Sequence, residues 1–217
     1  MMALDLAFMI TAFATMIVII DPFAIGPMFL ALTPGMTPRQ RRLIAWRSVV
    51  IAGLLLLVFA AFGEAVLGFI GISMPAFRVA GGVLLFLTAL DMLFDRRTKR
   101  REGHAEADDD HDDPSVFPLA IPLIAGPGSI ASVILLTGEK PGLEGLVTVV
   151  AITFAVLIIM GITMQASGYL ENALGKVGIN VITRLLGMRL LGMLLAALSV
   201  QFVLDGLSAF GFGPGPG

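Results

Sequence analysis

The chain has 217 residues, 57% of them hydrophobic and 14% charged, with a formal net charge of −2. Soluble domains carry about 25% charged residues, so this balance excludes an ordinary water-soluble globule and points to an all-α membrane protein. The absence of cysteine excludes disulfides and thiolate metal sites.

A membrane helix needs about 20 apolar residues to cross a hydrocarbon core roughly 30 Å thick. The opening "MMALDLAFMI" lacks the basic stretch of a cleaved leader and is read as the start of a first span, 6–32. Within it lies "IIDPFAIGP", Ile19 to Pro27, where Asp21 is the only charge between residues 5 and 39. Proline has no N–H and clashes with the carbonyl four residues back. Pro22 therefore frees the carbonyl of Val18, and Pro27 that of Phe23. Broken backbone is tolerated in a bilayer only where protein or a water-filled cavity supplies partners. Asp followed by Pro is a good helix-capping pair, so Asp21 has one reading as a cap. The other is functional, because an ionisable group inside a span marks substrate or proton pathways.

Next come Arg39, Arg41, Arg42 and Arg47, overlapping the start of a second span at 43–67, with Glu64 near its far end. The third span, 76–94, carries Arg78 at its start and Asp91 near its close. A charged linker, 96–115, holds Arg96, Arg97, Lys99, Arg100 and Arg101 and then "REGHAEADDDHDD". His and Asp at that density can hold a divalent ion, but a self-repelling solvated linker is the simpler reading and no metal or cofactor is assigned. Both histidines of the chain lie there, which leaves most hydrolytic chemistries without their usual side chains and argues against an enzyme. Three further spans are expected at 116–137, 145–169 and 180–208. Residues 145–170 carry no charge and no polar stripe, which sets aside a soluble helical core. The basic loops lie on one side, Lys176 included, so the positive-inside rule places them in the cytoplasm and both termini outside.

A shift of 100 residues brings the opening motif back: "PFAIGP" aligns with "PLIAGP", matching Pro22 with Pro122, Gly26 with Gly126 and Pro27 with Pro127. A second echo pairs "GFIGI" before Arg78 with "GKVGI" before Arg184. Each half then has three spans, and an odd number inverts the second half. The predicted fold is six transmembrane helices in two inverted repeats, 1–95 and 116–217, each with a broken first helix. Paired, proline-interrupted helices in two inverted halves point to a transporter site at the midplane. Residues after each break become helix N-termini, which attract carboxylates, and Gly26 and Gly126 allow close approach to the backbone. The competing reading is that these residues only kink and pack the helices. Gln165, Asn180, Thr183 and Gln201 either line a cavity or bond between helices. Arg78 and Arg184 either snorkel or pair with Asp21 or a substrate carboxylate.

"DPFAIGPMFLALT" (from Asp21), "PLAIPLIAGPGSI" (from Pro118) and "GINVITRLLG" (from Gly178) resemble the MarC family, also called the neutral amino acid transporter family. The resemblance covers nearly the whole chain outside the charged linker. It implies a multi-pass protein of a bacterial inner membrane, distantly similar to LysE-type exporters, that moves small neutral amino acids. The candidate substrate site, set between the two breaks, comprises Asp21, Pro22, Gly26, Pro27, Pro122, Gly126, Pro127, Gly128, Ser129, Asn180, Thr183 and Arg184. Partners are then a neutral amino acid, the lipid bilayer and, left open, a second copy of the chain; nucleic acid is not among them. A non-transporting membrane scaffold is the alternative. One departure from the family pattern is the tandem "RLLGMRLLGM", Arg184 to Met193. Five extra helical residues add about 7.5 Å and turn the rest of the helix by about 140°, so only one of Arg184 and Arg189 keeps the register of the last span.

The topology has a direct check in this cysteine-free chain. Arg42→Cys is expected to resist an impermeant thiol reagent in intact cells while a cysteine added at the C-terminus reacts. The reverse pattern contradicts the orientation.

Overall fold

The computed structural model describes residues 6–94, 113–182 and 189–212, with backbone alone for Phe23, Pro27, 170–182, 189 and 190. Among the described residues the regular structure is entirely helical: α1 (Leu6–Ile20), α2 (Pro22–Leu32), α3 (Pro38–Ile70), α4 (Met74–Leu93), α5 (Ser115–Ile124), α6 (Pro127–Glu139), α7 (Leu143–Ile182) and α8 (Arg189–Ala209). Five stretches are long and apolar enough to cross a membrane, Leu6–Gly26, Pro38–Ile70, Met74–Leu93, Leu143–Tyr169 and Leu191–Ala209. The pair α5 and α6, bent by 53°, makes a sixth if taken as one span.

Local chemistry starts and stops these helices. Thr37 and Gln40 form a reciprocal capping box at the head of α3, with Pro38 in its first turn. Gly71 ends α3 in the left-handed region (φ 86°) that favours glycine. Ser73 caps α4 by accepting from Ala76 N. The expected sixth span, 180–208, needs correction, because α7 runs on to Ile182 and the last apolar stretch begins at Leu191. Gly175 and Gly178 do not end α7, since an interior glycine weakens a helix by only about 1 kcal/mol relative to alanine.

Two contacts order the helices across the bundle. Arg47, near the start of α3, forms an ion pair with Asp113, just before α5. The beginnings of α3 and α5 therefore share one face, the arginine-rich one, and α4 must return to it. At the opposite face Lys140 lies 5.9 Å from the centre of the Phe8 ring. Hence α1 descends toward the arginine-rich face while α6 climbs away from it. The predicted linker falls outside the described residues except for 113–115, and with it the His/Asp-rich stretch.

Met16, Ile19, Phe29, Leu56, Leu85 and Leu135 are fully buried at the centre. Leu54, Phe62, Leu87, Ile158 and Leu204 point outward, as lipid-facing positions do. The tightest seam joins α4 to α8, which run antiparallel. A Cβ on Gly82 would come within 2.7 Å of Val203 and 2.8 Å of the Ser199 carbonyl. One on Gly206 would come within 2.7 Å of Val79 and 2.9 Å of the Pro75 carbonyl. A Cβ on Gly192 would come within 3.2 Å of side-chain atoms of Met92 and Leu93, a tight but looser fit. Small residues let membrane helices touch backbone to backbone, where packing rather than water expulsion drives association. Gly192 belongs to the second RLLGM copy, so that copy carries the α8 register; residues 183–188 lie outside the described residues.

Gly82→Val is expected to lower unfolding free energy in detergent by about 1–3 kcal/mol through overpacking. Gly68→Ala, where nothing lies within 4 Å, should leave it unchanged or raise it slightly.

Candidate functional site: two helix breaks at one depth

The first break is one residue long. The Asp21 N–H donates to Ile17 O (3.0 Å) and closes α1. Its backbone then turns into the left-handed region (φ 54°, ψ 67°), which Asp tolerates better than most residues. The Asp21 carboxylate accepts from Ala24 N at 3.3 Å and so caps α2, whose first residue is Pro22. Asp21 is wholly buried. The capping reading is therefore realised, and a full carboxylate still sits inside the span.

The expectation that Gly26-Pro27 begins a half-helix is corrected. Both residues lie inside α2, and the N-terminus is at Pro22. The break falls where a side chain can satisfy the released N–H groups, and Gly26 has none. A Cβ on Gly26 would meet Ser167 of α7 at 3.4 Å, an ordinary contact, so the packing leaves room for a small side chain there.

The second break is longer. Ile121, the counterpart of Asp21, is extended (φ −131°, ψ 123°), as is Phe117 (φ −124°, ψ 132°). Both precede prolines, whose rings push the preceding residue out of the helical region; the bonds Phe117–Pro118 and Ile121–Pro122 are cis. The turns of α5 are correspondingly wide, with Leu119 N reaching Pro114 O (3.3 Å) and Ala125 N reaching Ala120 O (2.9 Å). α6 starts afresh at Pro127, with Gly126 as its N-cap residue and no side-chain cap. The Ser129 hydroxyl, 3% exposed, donates to Ile124 O (2.7 Å) and satisfies a carbonyl that the break would strand. A Cβ on Gly126 would stand 2.5 Å from Pro122 O. The close approach that requires glycine here is to the chain's own carbonyl.

The helices beside the two breaks touch. A Cβ on Gly128 would lie 3.5 Å from Ile19 Cγ2, 3.8 Å from Leu85 Cδ2 and 4.0 Å from Thr88 Oγ1. With Phe8 beside Lys140 at the other end, this contact fixes the antiparallel register of α1 on α6. Two residues past Ile19 and two before Gly128, Asp21 falls level with Gly126. A buried carboxylate thus shares a depth with the uncapped, positive end of a 13-residue helix.

Flanking contacts hold the breaks in place. Arg41 donates from Nε (3.2 Å) and Nη2 (3.0 Å) to Thr33 O and closes the end of α2. Asp113 accepts from Ser115 N at 3.0 Å and pairs with Arg47, anchoring the start of α5. Its carboxyl is held below the ordinary value, first by the Ser115 hydroxyl and also by Arg47. None of these anchors carries a motif that singles it out in sequence.

Other predicted residues fall elsewhere. Arg78 sits on α4 ten residues from Thr88, about 15 Å along the helix, and so does not reach the breaks. Gln165 bonds Gly161 O at 3.4 Å and Gln201 bonds Asp205 at 2.8 Å, each within its own helix. Asn180 belongs to α7 by its backbone, while Thr183 and Arg184 lie outside the described residues.

A family model described as MarC family integral membrane protein matches residues 6–210. A UPF0056 membrane protein of Methanocaldococcus jannaschii, MJ1677, is 36% identical over 209 residues, covering 94% of this chain and 98% of that one. A UPF0056 membrane protein of Aquifex aeolicus is 38% identical over 200 residues, 91% of each chain. The UPF0056 inner membrane protein YhgN of Escherichia coli is 33% identical over 202 residues, 91% of this chain and 95% of its own. No solved structure matches.

Gly126→Ala is expected to destabilise the protein by about 2 kcal/mol, because its methyl meets rigid backbone. Gly26→Ala should be neutral or slightly stabilising, and thermal unfolding of the two variants in detergent decides. Equal stability would contradict the structural role given to Gly126.

Proposed function

We propose a function from one premise: the chain belongs to the MarC family of integral membrane proteins. It is a multi-pass membrane protein, and the finer reading is a secondary transporter of small neutral amino acids, a carrier rather than an enzyme. The observation that carries this reading is the shared depth of the two breaks. A zwitterion needs an anionic and a cationic partner a few ångströms apart. Asp21 would meet the ammonium group or carry a coupled proton, and the first turn of α6, Gly126 to Ser129, would meet the carboxylate. Pro22 and Pro122 set the breaks, while Gly26 and Pro27 would shape the wall from α2.

The family motif supports assigning each half three spans, the second inverted, with the broken helices as counterparts. Asp21 and Ile121 both leave the helical region just before a proline, which favours that pairing. In this reading the arginine-rich face is cytoplasmic, both termini are outside, and the protein sits in a cell's cytoplasmic (inner) membrane. The non-transporting scaffold is the second reading. What favours it is the Pro122 carbonyl against Gly126, which gives that glycine a purely structural reason.

Reconstituted protein should carry labelled alanine or glycine into proteoliposomes above the protein-free rate. Asp21→Asn keeps most of the capping capacity but removes the charge. Losing a charged hydrogen bond is worth about 1.5–3 kcal/mol, so flux should fall at least about tenfold in protein that remains folded. No flux of any neutral amino acid by the unaltered protein would sink the transport reading. Unchanged flux in Asp21→Asn would sink the site alone.

A further inference from the structure

Most buried hydroxyls among the described residues follow one habit. Those of Thr33, Ser48, Ser132, Thr153, Ser167 and Ser199 each donate to a carbonyl three or four residues back in their own helix, at 2.6–2.8 Å. This self-bonding lets a hydroxyl sit in hydrocarbon without a partner from outside. Thr15 breaks the habit. It is 0% exposed, and among the buried serines and threonines of the described residues its hydroxyl alone has no hydrogen-bond partner. A carbonyl is available one turn back, yet the hydroxyl makes no hydrogen bond to it.

The place of Thr15 gives this meaning. It stands one helical turn before Ile19, which touches Gly128. At the antiparallel register fixed by that contact and by Phe8 against Lys140, Thr15 falls level with Ser132, one turn after Gly128 on α6. Ser132 Oγ donates to Gly128 O at 2.8 Å, which leaves its oxygen lone pairs as acceptors. Thus a hydroxyl with donor and acceptor both uncommitted faces the level of a second hydroxyl. Both stand on the side of the Ile19–Gly128 contact away from the arginine-rich face. An unmet buried hydroxyl is disfavoured, and a polar ligand that bonds it relieves that cost.

The geometry points to Thr15 as a substrate-binding residue, a polar waypoint on the α1–α6 seam for the charged head of a small zwitterionic amino acid passing between the two breaks and the outer face. This rests on the transport reading and deepens it. In the present arrangement the seam is shut by Ile19 against Gly128; when α1 and α6 part, the Thr15 hydroxyl is the first polar side chain beyond that contact on α1. The donor would serve the carboxylate, and the acceptor the ammonium group.

The absence of cysteine makes the test clean. Thr15→Cys and Met16→Cys are compared in reconstituted full-length protein, since Met16 is equally buried but points elsewhere on α1. A small hydrophilic methanethiosulfonate is expected to label Thr15→Cys at least about tenfold faster than Met16→Cys, and saturating L-alanine is expected to slow that labelling. Alanine flux should fall in Thr15→Val and survive in Thr15→Ser. Labelling as slow as that of Met16→Cys, or labelling indifferent to alanine, overturns the inference, as does full flux in Thr15→Val. The transport reading fails separately, in the flux of the unaltered protein, so the two failures are distinguishable.

Discussion

A backbone group released inside a bilayer has no water to turn to, and the architecture depends on that constraint. Each unmet N–H or C=O in hydrocarbon is disfavoured by several kcal/mol, so a helix can be broken at mid-membrane only where a specific partner stands ready. The Asp21 carboxylate receives Ala24 N. The Ser129 hydroxyl reaches Ile124 O. The wide turns of α5 keep a donor on Ala120 O although prolines interrupt the helix. The first two repairs need a particular side chain at a particular place, and the breaks leave a residual dipole or charge inside the protein. The polarity that makes a candidate site comes from mending the break.

The remaining helices hold these breaks at one depth. Lipid supplies no hydrophobic force between helices, so close packing must do so. Glycines 82 and 206 bring α4 and α8 into backbone contact, and Gly192 packs under Met92 and Leu93. Gly81 fits under Leu135 in α6, and Gly63 under Ile134. With α6 wedged against α3 and α4, its first turn is set beside Ile19 and hence level with Asp21. Arg41 on Thr33 O and Asp113 with Arg47 fix the other ends of the two broken helices at the arginine-rich face.

Much of this is legible in the residues. Long uncharged runs announce spans because the bilayer sets their length. The echo of "PFAIGP" in "PLIAGP" locates both broken helices. The place of the first break differs from the sequence expectation, because proline content alone does not decide it. Capping does, and Asp21 can cap where Gly26 cannot. Gly126 reads in sequence as room for a ligand, yet its missing Cβ makes room for the Pro122 carbonyl, a contact that no spacing rule reveals. Thr15 is invisible in sequence for a different reason. A threonine in a membrane helix ordinarily bonds its own backbone, and only the packed structure shows which one does not.

The central claim is that α1 and α6 meet at Ile19 and Gly128 and part there to admit a small zwitterion. A double variant, Ile19→Cys with Gly128→Cys, tests it in the native membrane. Rapid disulfide formation under mild oxidant is expected, slowing as alanine is added. No cross-link, or a rate that alanine leaves unchanged, would contradict the claim.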